Sequence, residues 1–423
     1  MSSLHPASVL TSHGGSRRRS SVPSPSGASE IFQVLRDGRA RTRAELAQIT
    51  GLARSTIAAR VDILMSLGLV SPIGGAASTG GRPPSLFALN PAARVVVGAD
   101  LGATHAIVIL ANLAGDELAG ERQDISIADG PEAVLGWLVS AVARLLATAG
   151  RSVDDLAAIG IGLPGPVEHD TGRPINPPIM PGWDRCDVPG LVQAGFDVPV
   201  LVDNDVNIMA LGERSSNWPD VDDLVFIKVA TGIGAGIISG GVLQRGAQGT
   251  AGDLGHVRVV GGGETPCRCG NTGCLEAVAS GPALAAALSR STRTDVLGSQ
   301  GVIDLVRSGD STALQVIRQA GRNIGDVVAM CVNLINPSVV VIGGSLAQTG
   351  EHLLAGIREV VYTRSLPLAT EHLRIAPSVS GQNAGVAGAA VLAISHVLSP
   401  EAIDAASAPG GLTHGVGAGA TAR

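Results

Sequence analysis

Leu224-Val225-Phe226-Ile227-Lys228-Val229-Ala230-Thr231-Gly232-Ile233-Gly234-Ala235-Gly236-Ile237-Ile238 reads as strand, glycine turn, strand. A short apolar run bounded by turn residues is the pattern of a buried strand. The expected bounds are Leu224 to Ala230 and Gly234 to Ile238. Working outward, the pattern recurs twice. Val95 to Asp100 leads into Asp100-Leu101-Gly102-Ala103-Thr104 and a second strand from His105 to Leu110. Ser338 to Ile342 leads into Gly343-Gly344-Ser345. Strands are also expected at Ala157 to Leu163 and Val198 to Val202. Helices are expected over Pro131 to Ala149 and from about Gly321 to Asn336. Strands alternating with helices from Arg94 onward give an α/β fold with a mixed sheet.

A glycine in such a turn has no Cβ to keep a phosphate oxygen from the backbone N–H groups. Gly102, Thr104, Thr231, Gly232, Gly234, Gly343 and Gly344 are therefore candidate contacts for a phosphate-bearing ligand. Asp100, at a strand end, can hold a magnesium-bound water beside them. Any one of these turns alone is commonly ligand-free. Leu201-Val202-Asp203-Asn204-Asp205-Val206-Asn207 ends a strand and opens a helix. There the Asp205 carboxylate can act as general base for a sugar hydroxyl, with Asn204 on neighbouring hydroxyls. Both residue types also cap helices.

His256 precedes Cys267-Arg268-Cys269-Gly270-Asn271-Thr272-Gly273-Cys274. One imidazole and three thiolates make a closed tetrahedral zinc set, structural because no position is left for water. Free buried cysteines are the alternative. Cys186 and Cys331 stand apart and read as ordinary thiols. Five cysteines, three of them clustered, fit a metal site in a reducing compartment rather than a disulfide framework.

The N-terminal ninety residues read differently. They carry ten Arg against four acids, whereas the whole chain has a net charge of −6. Only the N-terminal piece is thus suited to nucleic acid. Residues 1–27, rich in Ser, Pro, Gly and Arg, are expected to be a disordered tail, as are residues 403–423. Between them, residues 28–90 form one unit and 91–402 another. Ser29 to Asp37 has helical apolar spacing. Thr42-Arg43-Ala44-Glu45 is a capping box that opens a helix ending at Gly51. A third helix starts near Ala53, where no capping side chain is available, and buries Ile57, Val61 and Leu64. Leu69-Val70 and Ser85 to Leu89 read as a hairpin. Three helices and a hairpin make a winged helix-turn-helix. Arg54, Ser55, Thr56 and Arg60 lie on the helix that would read a major groove, and Arg82 on the wing. Winged helices also dock proteins.

Together, Gly252-Asp253-Leu254-Gly255-His256, the cysteine run through Glu276 and Asn204-Asp205-Val206-Asn207 resemble the ROK family of repressors, open reading frames and kinases. Gly162-Leu163-Pro164-Gly165-Pro166 and Pro181-Gly182-Trp183 fit as well. The resemblance runs from about Arg94 to Leu398, and the winged helix is similar to that of the family's repressor branch. It implies a two-lobed actin-like, ribonuclease H-like ATPase fold, with the three glycine turns as two phosphate loops and an adenosine loop. It also implies Asp205 as catalytic base and Asn204, Asp205, Asp253, His256 and Glu276 as sugar contacts. Asp253 stands where the family usually has Glu. His256 would serve both zinc and sugar.

Aromatic residues at 2% exclude a stacking platform for single strands. No unbroken apolar run of about 18 residues and no secretory leader are evident, so a cytoplasmic location without a membrane partner is expected. The expected partners are operator DNA, a small sugar or sugar phosphate, and a second copy of the chain in a homodimer or homotetramer. Two readings remain. One is a sugar-responsive transcriptional regulator, a repressor in kind. The other is an ATP- and magnesium-dependent sugar kinase with an accessory winged helix.

Overall fold

The computed structural model describes residues 27–75, 84–293 and 295–408. Arg82, residues 1–26 of the first expected tail and residues 409–423 of the second lie outside the described residues. One expected boundary moves. Pro400–Ser407 is a helix, with Ser399 Oγ accepting from Ala402 N at 3.1 Å and Ile403 buried. A serine cap with proline at the first turn sets the helix there, so the chain is still folded where the tail was expected to start.

The N-terminal unit is a winged helix. Helices Ala28–Leu35, Arg43–Thr50 and Arg54–Ser66 precede antiparallel strands Val70–Gly75 and Ser85–Leu89, and the two-residue strand Arg41–Thr42 completes the sheet. The capping box forms: Glu45 N donates to Thr42 Oγ1 at 3.2 Å, and Thr42 N donates to Glu45 Oε2 at 2.7 Å. Gly51 ends that helix at φ 72°, and Ala53 offers the next helix no side-chain cap. Phe32, Leu46, Ile57, Val61, Leu64 and Phe87 form the core.

The body holds two five-stranded sheets. In the first, Val95–Leu101 pairs antiparallel with Ala106–Asn112, which pairs antiparallel with Glu117–Gln123. On its other side Val95–Leu101 runs parallel to Leu156–Leu163, and that strand parallel to Val200–Asn204. In the second, Leu224–Val229, Ile233–Ser239 and Val242–Gln244 form the antiparallel half, and Val339–Gly343 and Arg374–Pro377 the parallel half. Both sheets therefore have the order third, second, first, fourth, fifth. The lobes share a topology, and the first two glycine turns occupy the same hairpin in each.

Helix Ala384–Val397 lies between the lobes in a trench of glycines. A Cβ on Gly160 would lie 2.0 Å from Ala389 O, and one on Gly212 2.0 Å from Ala384 O. Helix Ser311–Ile335 begins well before the expected Gly321, because Asp310 caps it by accepting from Ala313 N at 2.8 Å. Pro131–Thr148 is, among the described residues, the one single helix long and apolar enough to cross a membrane. It instead buries Val134, Leu138, Val142 and Leu145 in the first lobe's core.

Candidate functional site

The cleft between the lobes is built from strand ends. Asp100 is buried near the end of the first strand of lobe one, against the start of helix Ala384–Val397. A Cβ on Gly385 would lie 2.1 Å from its Oδ2, so any larger residue there would displace the carboxylate. Burial, then the charge of Asp205, pushes Asp100 up to about 7. Asp205 opens helix Asp205–Asn217 from the end of Val200–Asn204. Asn204 caps it, its Oδ1 accepting from Val206 N at 2.9 Å, while its Nδ2 donates to Gly165 O at 2.8 Å. The capping role of Asn204 is thus realised, and its amide also holds the Gly165 turn.

Lys228 reaches across from lobe two and donates to Asp205 Oδ2 at 2.5 Å. The sequence places this lysine only within the strand expected over Leu224 to Ala230, because its partner is brought to it by the packing of one lobe against the other. Asp203, buried beside Asp205, accepts from Arg245 Nε at 2.7 Å and from Asn207 Nδ2 at 2.7 Å. These three were also missed. They tie the loop after Val242–Gln244 to the strand that carries Asp205.

The second glycine turn is the meeting point of the site segments. A Cβ on Gly234 would lie 3.2 Å from Val206 Cγ2, and Ala235 N donates to Gly252 O at 2.7 Å. Glu276 Oε2 accepts from Ile233 N at 3.1 Å, so this expected sugar contact is held against the turn. The first turn is covered by His105, whose ring a Cβ on Gly102 would strike, and burial lowers the basicity of His105. Thr104 and Thr231 are exposed. At the third turn Gly344 has φ 83°, and a Cβ there would lie 2.5 Å from Val229 O.

Beside this cleft the ligand atoms of His256, Cys267, Cys269 and Cys274 all lie within 4.8 Å of one another. His256 Nδ1 is 3.6 Å from Cys267 Sγ, and Cys269 Sγ is 3.7 Å from Cys274 Sγ. Zinc–sulfur bonds of about 2.3 Å in a tetrahedron require ligands about 3.8 Å apart, so the donor set fits a metal ion. A backbone bond involving Asn271 brings Cys269 down, and burial pushes Cys274 up. His256 turns its other nitrogen, Nε2, to within 4.0 Å of exposed Asp253. One ring thus faces the thiols with Nδ1 and the cleft-side loop with Nε2.

Residues 96–396 match the ROK family. The chain belongs to the ROK family. Among its relatives, a protein named xylose repressor from Caldicellulosiruptor bescii is 30% identical over 382 residues, 87% of this chain and 95% of that protein. A glucokinase of Halalkalibacterium halodurans is 31% identical over 70% of this chain and 93% of its own length. A crystal structure described as a ROK family transcriptional regulator, homologous to the Escherichia coli MLC protein, superposes with TM-score 0.77 at 26% identity. It covers 89% of this chain and 97% of that one. The two regulator matches exceed the length of the body, whereas the glucokinase match does not. This ROK protein therefore has a regulator's architecture, a winged helix on a two-lobed actin-like body.

On the winged helix, Arg54 and Ser55 are exposed at the start of helix Arg54–Ser66, and Thr56 is half-buried. Arg60 is engaged elsewhere: its Nη1 donates to Glu30 Oε2 at 2.8 Å, tying this helix to the first. Arg43 pairs with Asp62 at 2.7 Å and sits 4.8 Å over the Phe87 ring.

Proposed function

We propose that this protein is a sugar-responsive transcriptional regulator, a repressor whose operator affinity changes when a small sugar enters the cleft. The observation that carries this reading is the union, in one chain, of an exposed Arg54–Ser55 helix start with the cleft of Asn204, Asp205, Asp253, His256 and Glu276. Repressors named for xylose and N-acetylglucosamine among the relatives support a neutral monosaccharide as ligand. DNA as partner supports a cytoplasmic place of action. The test is anisotropy of the full chain on its own promoter against random duplex, over a salt series, with xylose, glucose and N-acetylglucosamine. Operator preference weakened by one sugar is expected, and Arg82→Ala should lower the salt slope by about one. No preference for the promoter, or no sugar that shifts it, would reject the reading.

One winged helix makes few base contacts, so binding is read as two half-sites and a dimer or tetramer. Exposed Met330, Leu334, Tyr362, Leu366 and Leu368 supply apolar surface for such contacts. Zinc in the His256, Cys267, Cys269 and Cys274 set holds the loop between the second glycine turn and Glu276. Metal analysis of protein purified without chelators should give one zinc per chain; a metal-free, fully sugar-competent protein would contradict this.

The second reading, an ATP-dependent sugar kinase, is favoured by the three glycine turns and by the glucokinase relative. Gly102, Thr104, Thr231, Gly232, Gly234, Gly343 and Gly344 would hold the nucleotide, Asp100 would orient magnesium, and Asp205 would accept the hydroxyl proton. ATP consumption with a sugar that binds, abolished by Asp205→Asn, would establish it.

A further inference from the structure

Lys228 is the only lysine in 423 residues, and it stands where phosphoryl transfer would need other charges. Its strand belongs to lobe two and its partner Asp205 to lobe one, so the 2.5 Å pair spans the cleft. The side chain is 23% exposed, and that of Asp205 6%. Asp100, the other acid of the cleft, is close enough for Lys228 and Asp205 both to act on it.

We propose that Lys228 is a built-in cation that stands in for the divalent metal ion a nucleotide would bring into this cleft, fitting it to an uncharged sugar alone and restraining Asp205 from proton transfer. The proposal rests on the reading of the cleft as a sugar site. A buried ammonium is tolerated only while its counter-charge remains. If Asp205 took the proton of a sugar hydroxyl, Lys228 would be left as an uncompensated charge. A divalent ion drawn to Asp100 would meet a like charge in a poorly screened space. One side chain thus opposes both requirements of phosphoryl transfer. A neutral hydroxyl that hydrogen-bonds in the cleft leaves the charge balance intact. Burial works against the ammonium, but the charge and hydrogen bond of Asp205, followed by Asp100, outweigh it and raise the basicity of Lys228. Lys228 therefore keeps its proton through the neutral range.

The test compares the full chain with Lys228→Met, using Mn2+ with a non-hydrolysable ATP analogue as probe. Paramagnetic relaxation reports the metal and calorimetry the nucleotide. Lys228→Met should bind the probe about tenfold more tightly, a gain of about 1.4 kcal/mol. Unchanged affinity overturns the proposal. Weaker affinity also overturns it, because Lys228 would then be a phosphate ligand. Should Lys228→Met fail to fold, Lys228→Met with Asp205→Asn removes both charges together, and it must bind the probe more tightly than Asp205→Asn alone. Sugar titrations of the unmodified chain are run beside these. Their failure counts against the sugar reading of the cleft, whereas the probe measurement decides the role of Lys228 by itself.

Discussion

At the scale of single residues, the cleft joins acids whose surroundings set them apart. Asp100 is raised from 3.8 to about 7, first by burial and then by Asp205. Between those values the folded chain keeps a proton that the unfolded chain has released. The folded state then binds more protons, so this residue makes stability fall as pH rises from about 4 through 7. The shift corresponds to at most about 4 kcal/mol. Asp100→Asn removes the ionisation while keeping the shape. Its thermal midpoint relative to the unmodified chain should rise between about pH 4 and pH 7 and level off above. A constant difference across that range would show that Asp100 is ionised throughout in the folded protein. Asp205 and Asn204 were legible in the sequence because a strand end followed by a capped helix start aims them at the cleft. Lys228 was not, because its partner lies on the other lobe and strand periodicity says nothing of what faces a strand across a domain cleft.

At the scale of elements, the sequence showed strands wherever both faces are buried. Val95–Leu101 and Val339–Gly343 are buried throughout and read as plain apolar runs. Glu117–Gln123 escaped because it is an edge strand with little buried surface, and Ser311–Ile335 was begun too late because the Asp310 cap was not recognised. The glycines of the trench could not be interpreted from sequence either, since the need for them arises only when Ala384–Val397 is laid across the first sheet and against helix Asp205–Asn217. Gly160→Ala would set a Cβ 2.0 Å from Ala389 O and 2.9 Å from Ala389 C, contacts with backbone that cannot swing aside. Overpacking of this kind costs about 1–3 kcal/mol. Gly136→Ala is the matched control, exposed on helix Pro131–Thr148 with nothing within 4 Å. There alanine should stabilise by up to about 1 kcal/mol. Chemical denaturation of both variants checks the contrast, and equal midpoints would mean that the helix can shift out of the trench at little cost.

At the scale of the whole molecule, one continuous set of packed elements runs from the cleft to the winged helix. Asp205 opens helix Asp205–Asn217. That helix lies so close to Ala384–Val397 that a Cβ on Gly388 would collide with Ile208 O. Ala384–Val397 leads through Leu398 into Pro400–Ser407, which packs on Ala28–Leu35 of the winged helix. Ser29 Oγ donates to Asp404 Oδ2 at 3.0 Å, and Gln33 Nε2 donates to Leu398 O at 2.9 Å. Contiguity alone is no proof of coupling, which requires a sugar to favour one of two arrangements of the whole. If lobe movement reaches DNA through this joint, loosening the joint should separate the two binding events without abolishing either. Asp404→Ala is therefore expected to keep the sugar affinity and the sugar-free operator affinity of the unmodified chain. The ratio of operator affinities with and without sugar, commonly 5- to 150-fold in allosteric proteins, should fall toward one. Anisotropy titrations of operator at zero and saturating sugar measure that ratio directly. A variant that retains the full ratio would place the coupling elsewhere, in the contacts between subunits rather than between these two helices.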